Sequence, residues 1–145
     1  MNGSVHTICP HCRTVNRVPL SRLGEHPRCG SCRGALFDGK PMELTSAELY
    51  RHLEREDLPL LVDFWAPWCS PCRAMAPQFH QAAGVLEPRL RLARVNTETE
   101  GEAAGRMGIR SIPTLVLFRG GREVARQVGA MGSEDIVRWV TTHLR

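Results

Sequence analysis

All six cysteines of this chain fall into Cys-x-x-Cys pairs. Cys9–Cys12 and Cys29–Cys32 lie in a basic, glycine-punctuated N-terminal stretch. Cys69–Cys72 stands apart, directly after the apolar run Leu60-Leu61-Val62-Asp63-Phe64-Trp65. This spacing suits either metal ligation or disulfide chemistry, and the surroundings separate the two.

Sixteen residues divide Cys9-Pro10-His11-Cys12 from Cys29-Gly30-Ser31-Cys32, a spacing typical of a four-thiolate zinc site. Each pair wraps one side of a tetrahedral ion, and Gly30 and Gly34 are expected to permit the tight turns. Softness and geometry favour zinc over iron. The competing reading, two disulfides, suits neither a reducing compartment nor a segment without a core. His6, His11 and His26 are read as surface residues. Residues 1–40 offer only scattered apolar side chains, and a segment of that kind needs a metal or disulfides to hold a fold.

Trp68-Cys69-Ser70-Pro71-Cys72 falls where a strand ends and a helix begins. Helix N-terminal N–H groups stabilise a thiolate, the species that attacks a disulfide. Cys69 at the entrance is therefore the expected nucleophile, and Cys72, one turn in, the resolving thiol. Pro71 suits a first helical turn, where its missing N–H costs nothing. Half of a metal site is the alternative, but residues 41–145 hold no further cysteine, and only His52, His80 and His143 as imidazoles. Asp63 interrupts the apolar run six residues before Cys69. If buried, its carboxyl pKa rises and it becomes a candidate acid–base partner for Cys72; if it sits at a strand end, it is merely solvated. Periodicity leaves both readings open.

The elements that must position these groups follow from pattern. A short strand at 42–44 precedes a helix opened by a capping box, Thr45 with Glu48. The continuous apolar run at 60–65 reads as a buried parallel strand. A helix from about Cys69 carries Cys72, Met75, Ala76, Phe79, Ala83 and Leu86 at helical spacing, with Pro77 expected to bend it. A strand at 90–95 completes a right-handed β-α-β unit. A short helix at 101–106 follows, then strands at 114–118 and 123–128 around Arg119-Gly120-Gly121-Arg122, a hairpin signal. A last helix is expected to be capped by Ser133, with Glu134 and Asp135 in its first turn. The result is an α/β domain with a mixed sheet and helices on both faces, at 39–145, behind a small module at 1–38.

Composition narrows the function. The chain has 145 residues and a formal net charge of +4. Six basic residues against Glu25 and Asp38 place that charge within residues 1–40, and thirteen of each sign leave the remainder neutral. Four thiolates around zinc would offset much of the excess, so nucleic-acid binding is not expected. Residues 1–9 hold no apolar signal-peptide core, and no apolar run is long enough to span a membrane. A cytoplasmic protein without membrane contact is the expectation.

Val62 to Cys72 closely resembles the active-site segment of the thioredoxin family. Gly108-Ile109-Arg110-Ser111-Ile112-Pro113-Thr114-Leu115 and Val128-Gly129-Ala130 resemble its two substrate-facing loops. The resemblance runs over roughly Met42 to Arg145. It implies a thioredoxin fold, Cys69 as attacking thiolate, Cys72 as resolving thiol, Asp63 as buried acid–base group and a cis peptide before Pro113. Trp68, Ser70, Pro71, Ile112, Pro113, Gly129 and Ala130 would then face the substrate. With its N-terminal appendage the chain resembles the bacterial thioredoxin 2 type, in which Cys9, Cys12, Cys29 and Cys32 would hold one zinc ion in a zinc-ribbon-like module. The resemblance further implies a protein-disulfide reductase that uses no organic cofactor, is recharged by thioredoxin reductase and acts on oxidised client proteins. Ser70 and Ser111 replace glycines common in the family, and Arg94 replaces a lysine near the buried aspartate. Two competing readings are a disulfide oxidase or isomerase on the same fold, and a binding protein acting through its zinc module.

Overall fold

The computed structural model describes residues 3–145; residues 1 and 2, included in the expected first module, lie outside them. Two antiparallel strands, β1 (Ser4–Ile8) and β2 (Val15–Pro19), form a hairpin, and a short 3-10 turn follows at Leu20–Arg22. Ile8, Cys9, Val18, Cys29 and Leu36 are the buried apolar residues of this N-terminal module, a core too small to hold a fold by apolar burial alone.

The larger part runs β3 (Met42–Glu43), α1 (Ser46–Arg55), β4 (Leu60–Trp65), α2 (Ser70–Leu86), β5 (Arg91–Asn96), α3 (Gly101–Arg106), β6 (Thr114–Arg119), β7 (Arg122–Val128) and α4 (Ser133–His143). The five strands form one sheet in the order β3-β5-β4-β6-β7, with β3, β5 and β4 mutually parallel and β6 and β7 antiparallel. This is the mixed sheet and element order that the sequence pattern predicts.

Alternation along β4 sorts the core into two layers. Leu60, Val62 and Phe64 pack with Leu49 of α1 and Ala103 of α3. Leu61 points the other way, into Met75 and Phe79 of α2 and Ile136 and Val140 of α4. Asp63, two residues beyond Leu61, therefore faces the α2 side.

Local rules explain most termini. Thr45 and Glu48 make the reciprocal capping box at the start of α1, at 3.1 and 2.9 Å. α2 continues past Pro77 to Leu86, and its buried stripe includes Ala82 while Ala76 is only half-buried. At the β6–β7 turn Gly120 and Gly121 both have positive φ, and a Cβ on Gly121 would lie 2.6 Å from the Leu53 carbonyl oxygen.

One expected cap is different. Ser133 is the first residue of α4 rather than its cap; Gly132 occupies that position and offers no side chain. The amide oxygen of Gln78, on α2, instead accepts the Ser133 N–H at 2.9 Å. A neighbouring helix thus satisfies a donor that sequence reasoning assigns to a local serine.

Candidate redox and metal sites

Cys69 is the N-cap of α2, and its sulfur accepts the Cys72 N–H at 3.3 Å. An N-cap residue ordinarily offers oxygen to these orphan donors; here sulfur takes the role, so the dipole and a direct hydrogen bond both favour negative charge on it. Cys69 and Cys72 are joined by a disulfide, which makes this the oxidised state. Cys72 is fully buried and Cys69 nearly so.

Trp68 is 67% exposed beside the pair. Ser70 and Pro71 are exposed on the first turn of α2. The loop between α3 and β6 comes in from the other side and places the Ile112 carbonyl oxygen 3.8 Å from Cys69 Sγ. The Ile112–Pro113 peptide is cis, as the resemblance implies; a second cis peptide, Glu87–Pro88, has no counterpart in the sequence reasoning. The Thr114 hydroxyl donates to Ser111 O, and Gly129 N–H donates to Pro113 O at 2.9 Å. These bonds bring Gly129 next to Pro113. Ala130 follows, exposed.

Asp63 is completely buried, which decides between the two readings of its position. Register explains its charge partner. Glu43, Arg94 and Asp63 stand side by side across β3, β5 and β4. Arg94 Nε lies 3.4 Å from Asp63 Oδ2, its Nη1 lies 3.0 Å from Glu43 Oε2, and its guanidinium stacks 4.0 Å over the Trp65 ring. Asp63 Oδ1 has no hydrogen-bond partner among the described residues. Burial pushes the Asp63 carboxyl up to about 6, although Arg94 pulls it down. Desolvation wins because the guanidinium is shared with Glu43 and bonds only one carboxylate oxygen. The outer side of this row opens onto a surface cavity of about 480 Å³ lined by Glu43, Arg94 and His80 among others.

The second cluster lies wholly in the N-terminal module, before β3 begins. The sulfurs of Cys9, Cys12, Cys29 and Cys32 all lie within 4.8 Å of one another. Zn–S bonds of about 2.3 Å in a tetrahedron require sulfur–sulfur edges of about 3.8 Å. Cys9–Cys32 at 3.7 Å and Cys12–Cys29 at 3.5 Å match that requirement.

The two halves repeat one construction. Cys9 N–H donates to Thr14 O and Arg13 N–H to Cys9 O; Cys29 N–H donates to Gly34 O and Arg33 N–H to Cys29 O. Cys9 Sγ accepts the N–H groups of His11 and Cys12, and Cys29 Sγ those of Ser31 and Cys32. The Cys32 N–H, the Asn16 amide and the Ser31 N–H together lower the Cys29 thiol to about 6, against the opposing effect of burial. Such bonds favour the thiolates that a metal ligand must present.

The turn residues differ from expectation. Arg13 and Arg33, each following the second cysteine of its pair, take the left-handed conformation, with φ of 68° at both. Gly34 is required for space instead, since a Cβ there would lie 2.6 Å from the His11 ring. Gly30 presents its N–H to Asn16 Oδ1 at 2.9 Å. Asn16, which thus touches both a ligand sulfur and its loop, carried no signal in the sequence because its partners are distant along the chain.

Comparison with known proteins follows the same division. Residues 40–142 match the family model described as Thioredoxin, and residues 8–34 match a zinc-ribbon model described as Thioredoxin 2, N-terminal. Thioredoxin C-3 of Corynebacterium nephridii is 39% identical over 138 residues, covering 95% of this chain and 94% of that protein. Thioredoxin 1 of Nostoc sp. is 39% identical over 102 residues, covering 70% of this chain and 95% of its own length. Among solved structures, chloroplastic thioredoxin z superposes with a TM-score of 0.66 at 23% identity, over 72% of this chain and 95% of that one, a likeness of fold.

Proposed function

The chain belongs to the thioredoxin family and is a thiol–disulfide oxidoreductase of the protein-disulfide reductase kind; we propose that Cys69 and Cys72 form its redox couple and Asp63 its proton acceptor. The observation that carries this reading is the Cys69 sulfur seated as the N-cap of α2, accepting the Cys72 N–H and lying beside the Ile112 carbonyl.

In the reduced chain the Cys69 thiolate attacks one sulfur of a client disulfide. The client's second sulfur leaves as a thiolate, and a mixed disulfide remains. Asp63, its carboxyl raised by burial, takes the proton from Cys72, directly or through water. The Cys72 thiolate then attacks Cys69 Sγ, and the first client sulfur departs. Two electrons pass to the client, its two departing thiolates take up protons from water and from Asp63, and the Cys69–Cys72 disulfide is left. A thioredoxin reductase restores the dithiol. No step calls for an organic cofactor.

Trp68, Ser70, Pro71, Ile112, Pro113, Gly129 and Ala130 form the client platform in this reading. An extended client segment pairs with the exposed backbone at Ile112, and apolar contact comes from Trp68. Cys9, Cys12, Cys29 and Cys32 hold one zinc ion, which supplies the cross-link that the small core of residues 1–38 lacks; residues 39–145 carry the exchange chemistry. No helix among the described residues is long and apolar enough to cross a membrane. A reducing cytoplasm suits the four free thiols of the metal cluster.

The test is the equilibrium reduction potential of the Cys69–Cys72 couple, with Cys72→Ser used to trap clients. A potential near roughly −270 mV with recoverable mixed disulfides on Cys69 is expected. A potential of about −180 to −120 mV would make the chain a disulfide donor and overturn the reductase direction.

A further inference from the structure

Residues three apart on a regular strand face opposite sides of the sheet. Glu123 and Arg126 are three apart on β7, yet they form a two-point ion pair, Arg126 Nε to Glu123 Oε2 at 2.9 Å and Nη2 to Oε1 at 2.8 Å. The register explains it. Leu117 pairs with Ala125 and Phe118 with Glu123, so Val124 is an extra residue, a bulge opposite the Leu117–Phe118 step. The bulge turns Glu123 and Arg126 onto the same face, the one that Val116 and Phe118 share with α1 and α3.

From there the Arg126 guanidinium reaches the end of α3. Its Nη2 donates to Met107 O at 2.7 Å and its Nη1 to Gly108 O at 3.3 Å. Helix C-terminal carbonyls lack intrahelical donors, and a guanidinium is a fitting partner for them. Gly108, at φ 66°, then turns the chain into Ile109-Arg110-Ser111-Ile112-Pro113. Arg110 and Ser111 in that loop are exposed. Arg126 holds its start, while the Thr114 hydroxyl and the Gly129 N–H hold its end. Between these anchors lies the Ile112 carbonyl beside Cys69.

We propose that Arg126, held by Glu123 across the β7 bulge, is a positioning residue for client recognition, fixing the loop whose Ile112 backbone receives the client segment. Arg126 touches neither sulfur nor client. It acts by fixing in advance the backbone that an extended client must pair with, which lowers the ordering cost of binding. A small aromatic disulfide has no peptide backbone to pair and needs only to reach the Cys69 sulfur.

This inference rests on the proposed roles of Cys69 and Ile112, and the experiment separates the two. Arg126→Gln and Glu123→Gln are prepared in the full chain, with Arg126→Lys as the charge-retaining variant. Reduction of insulin and of dithiobis(nitrobenzoate) is followed for each. Arg126→Gln should raise KM for insulin by about three- to tenfold with kcat held within about twofold, and leave the small disulfide unchanged. Glu123→Gln should move KM the same way by less, and Arg126→Lys should recover part of the loss. Unchanged KM for insulin in Arg126→Gln, or an equal fall in kcat on both substrates, would overturn the proposal. A wild-type chain that reduces neither substrate would instead overturn the redox assignment beneath it.

Discussion

Arg91, the first residue of β5, donates through Nη1 to the carbonyl oxygen of Ile8, the residue preceding the first cysteine of the metal cluster, at 3.1 Å. The same guanidinium donates to Leu36 O at 2.8 Å and to the Thr7 hydroxyl at 2.7 Å. It lies near the carboxylates of Glu87 at 3.3 Å and Glu56 at 3.8 Å and over the Phe37 ring at 4.6 Å. Glu56 also accepts the Ile8 N–H, at 3.1 Å. A fully buried arginine thus ties both ends of the N-terminal module to the base of the sheet, at the end of β5 remote from the redox pair.

Arg91→Met should therefore do more than lose a surface contact. It leaves Glu56 and Glu87 buried without their cation and frees the Ile8 and Leu36 carbonyls, at a cost of about 3–5 kcal/mol. Thermal unfolding and the rate of zinc loss to a chromophoric chelator read the two consequences together. Zinc loss should quicken as the melting temperature falls. Destabilisation with unchanged zinc loss would show that the module holds its metal without help from the sheet.

Removal of the proposed zinc ion provides the reciprocal case. Hydrogen exchange on the metal-free chain should show residues 3–38 losing protection, because the cluster is the main cross-link of a module with few buried side chains. Strands β4 and β6 should stay protected. Retained protection in β1 and β2 would mean that Arg91 and the hairpin suffice.

Asp63 makes stability depend on pH in an unusual direction. Its folded pKa, about 6, lies above its ordinary 3.8, so the native state holds the proton more tightly than the unfolded chain. Stability from this group is full below about pH 4 and is lost as pH rises through 6. Asp63→Asn should consequently be more stable than the parent at pH 8, by roughly 2–3 kcal/mol, with the advantage vanishing near pH 4. Denaturation at the two pH values reads this directly. In the same variant, insulin reduction at neutral pH should slow by roughly tenfold or more, since the proposed proton acceptor for Cys72 is gone.

Gly121→Ala provides a site far from the chemistry. A φ of 77° and a Cβ only 2.6 Å from Leu53 O both oppose a side chain there. A loss of about 1–3 kcal/mol in urea denaturation is expected, with the reduction potential of the couple unchanged. An alanine variant as stable as the parent would mean that the turn and α1 move apart at little cost.

Much of this protein was legible along the chain itself. Apolar runs, the Thr45–Glu48 box, the paired glycines and the spacing of the cysteines are local properties. They set element types, the placement of Cys69 at a helix entrance and the two chemistries open to the cysteine pairs. What the sequence left open was decided by partners far apart in the chain. Whether Asp63 is buried, and which cation it meets, depends on the register that brings Glu43, Arg94 and Asp63 into one row. The cap of α4 comes from Gln78 rather than Ser133, and the knuckle turns fall on Arg13 and Arg33 because each follows the cysteine that closes its loop. Arg91 and Arg126 look like ordinary charged residues in sequence. Their roles arise only when folding removes water from one and a β-bulge turns the other toward a helix end, since neither desolvation nor strand register is encoded by any single stretch of residues.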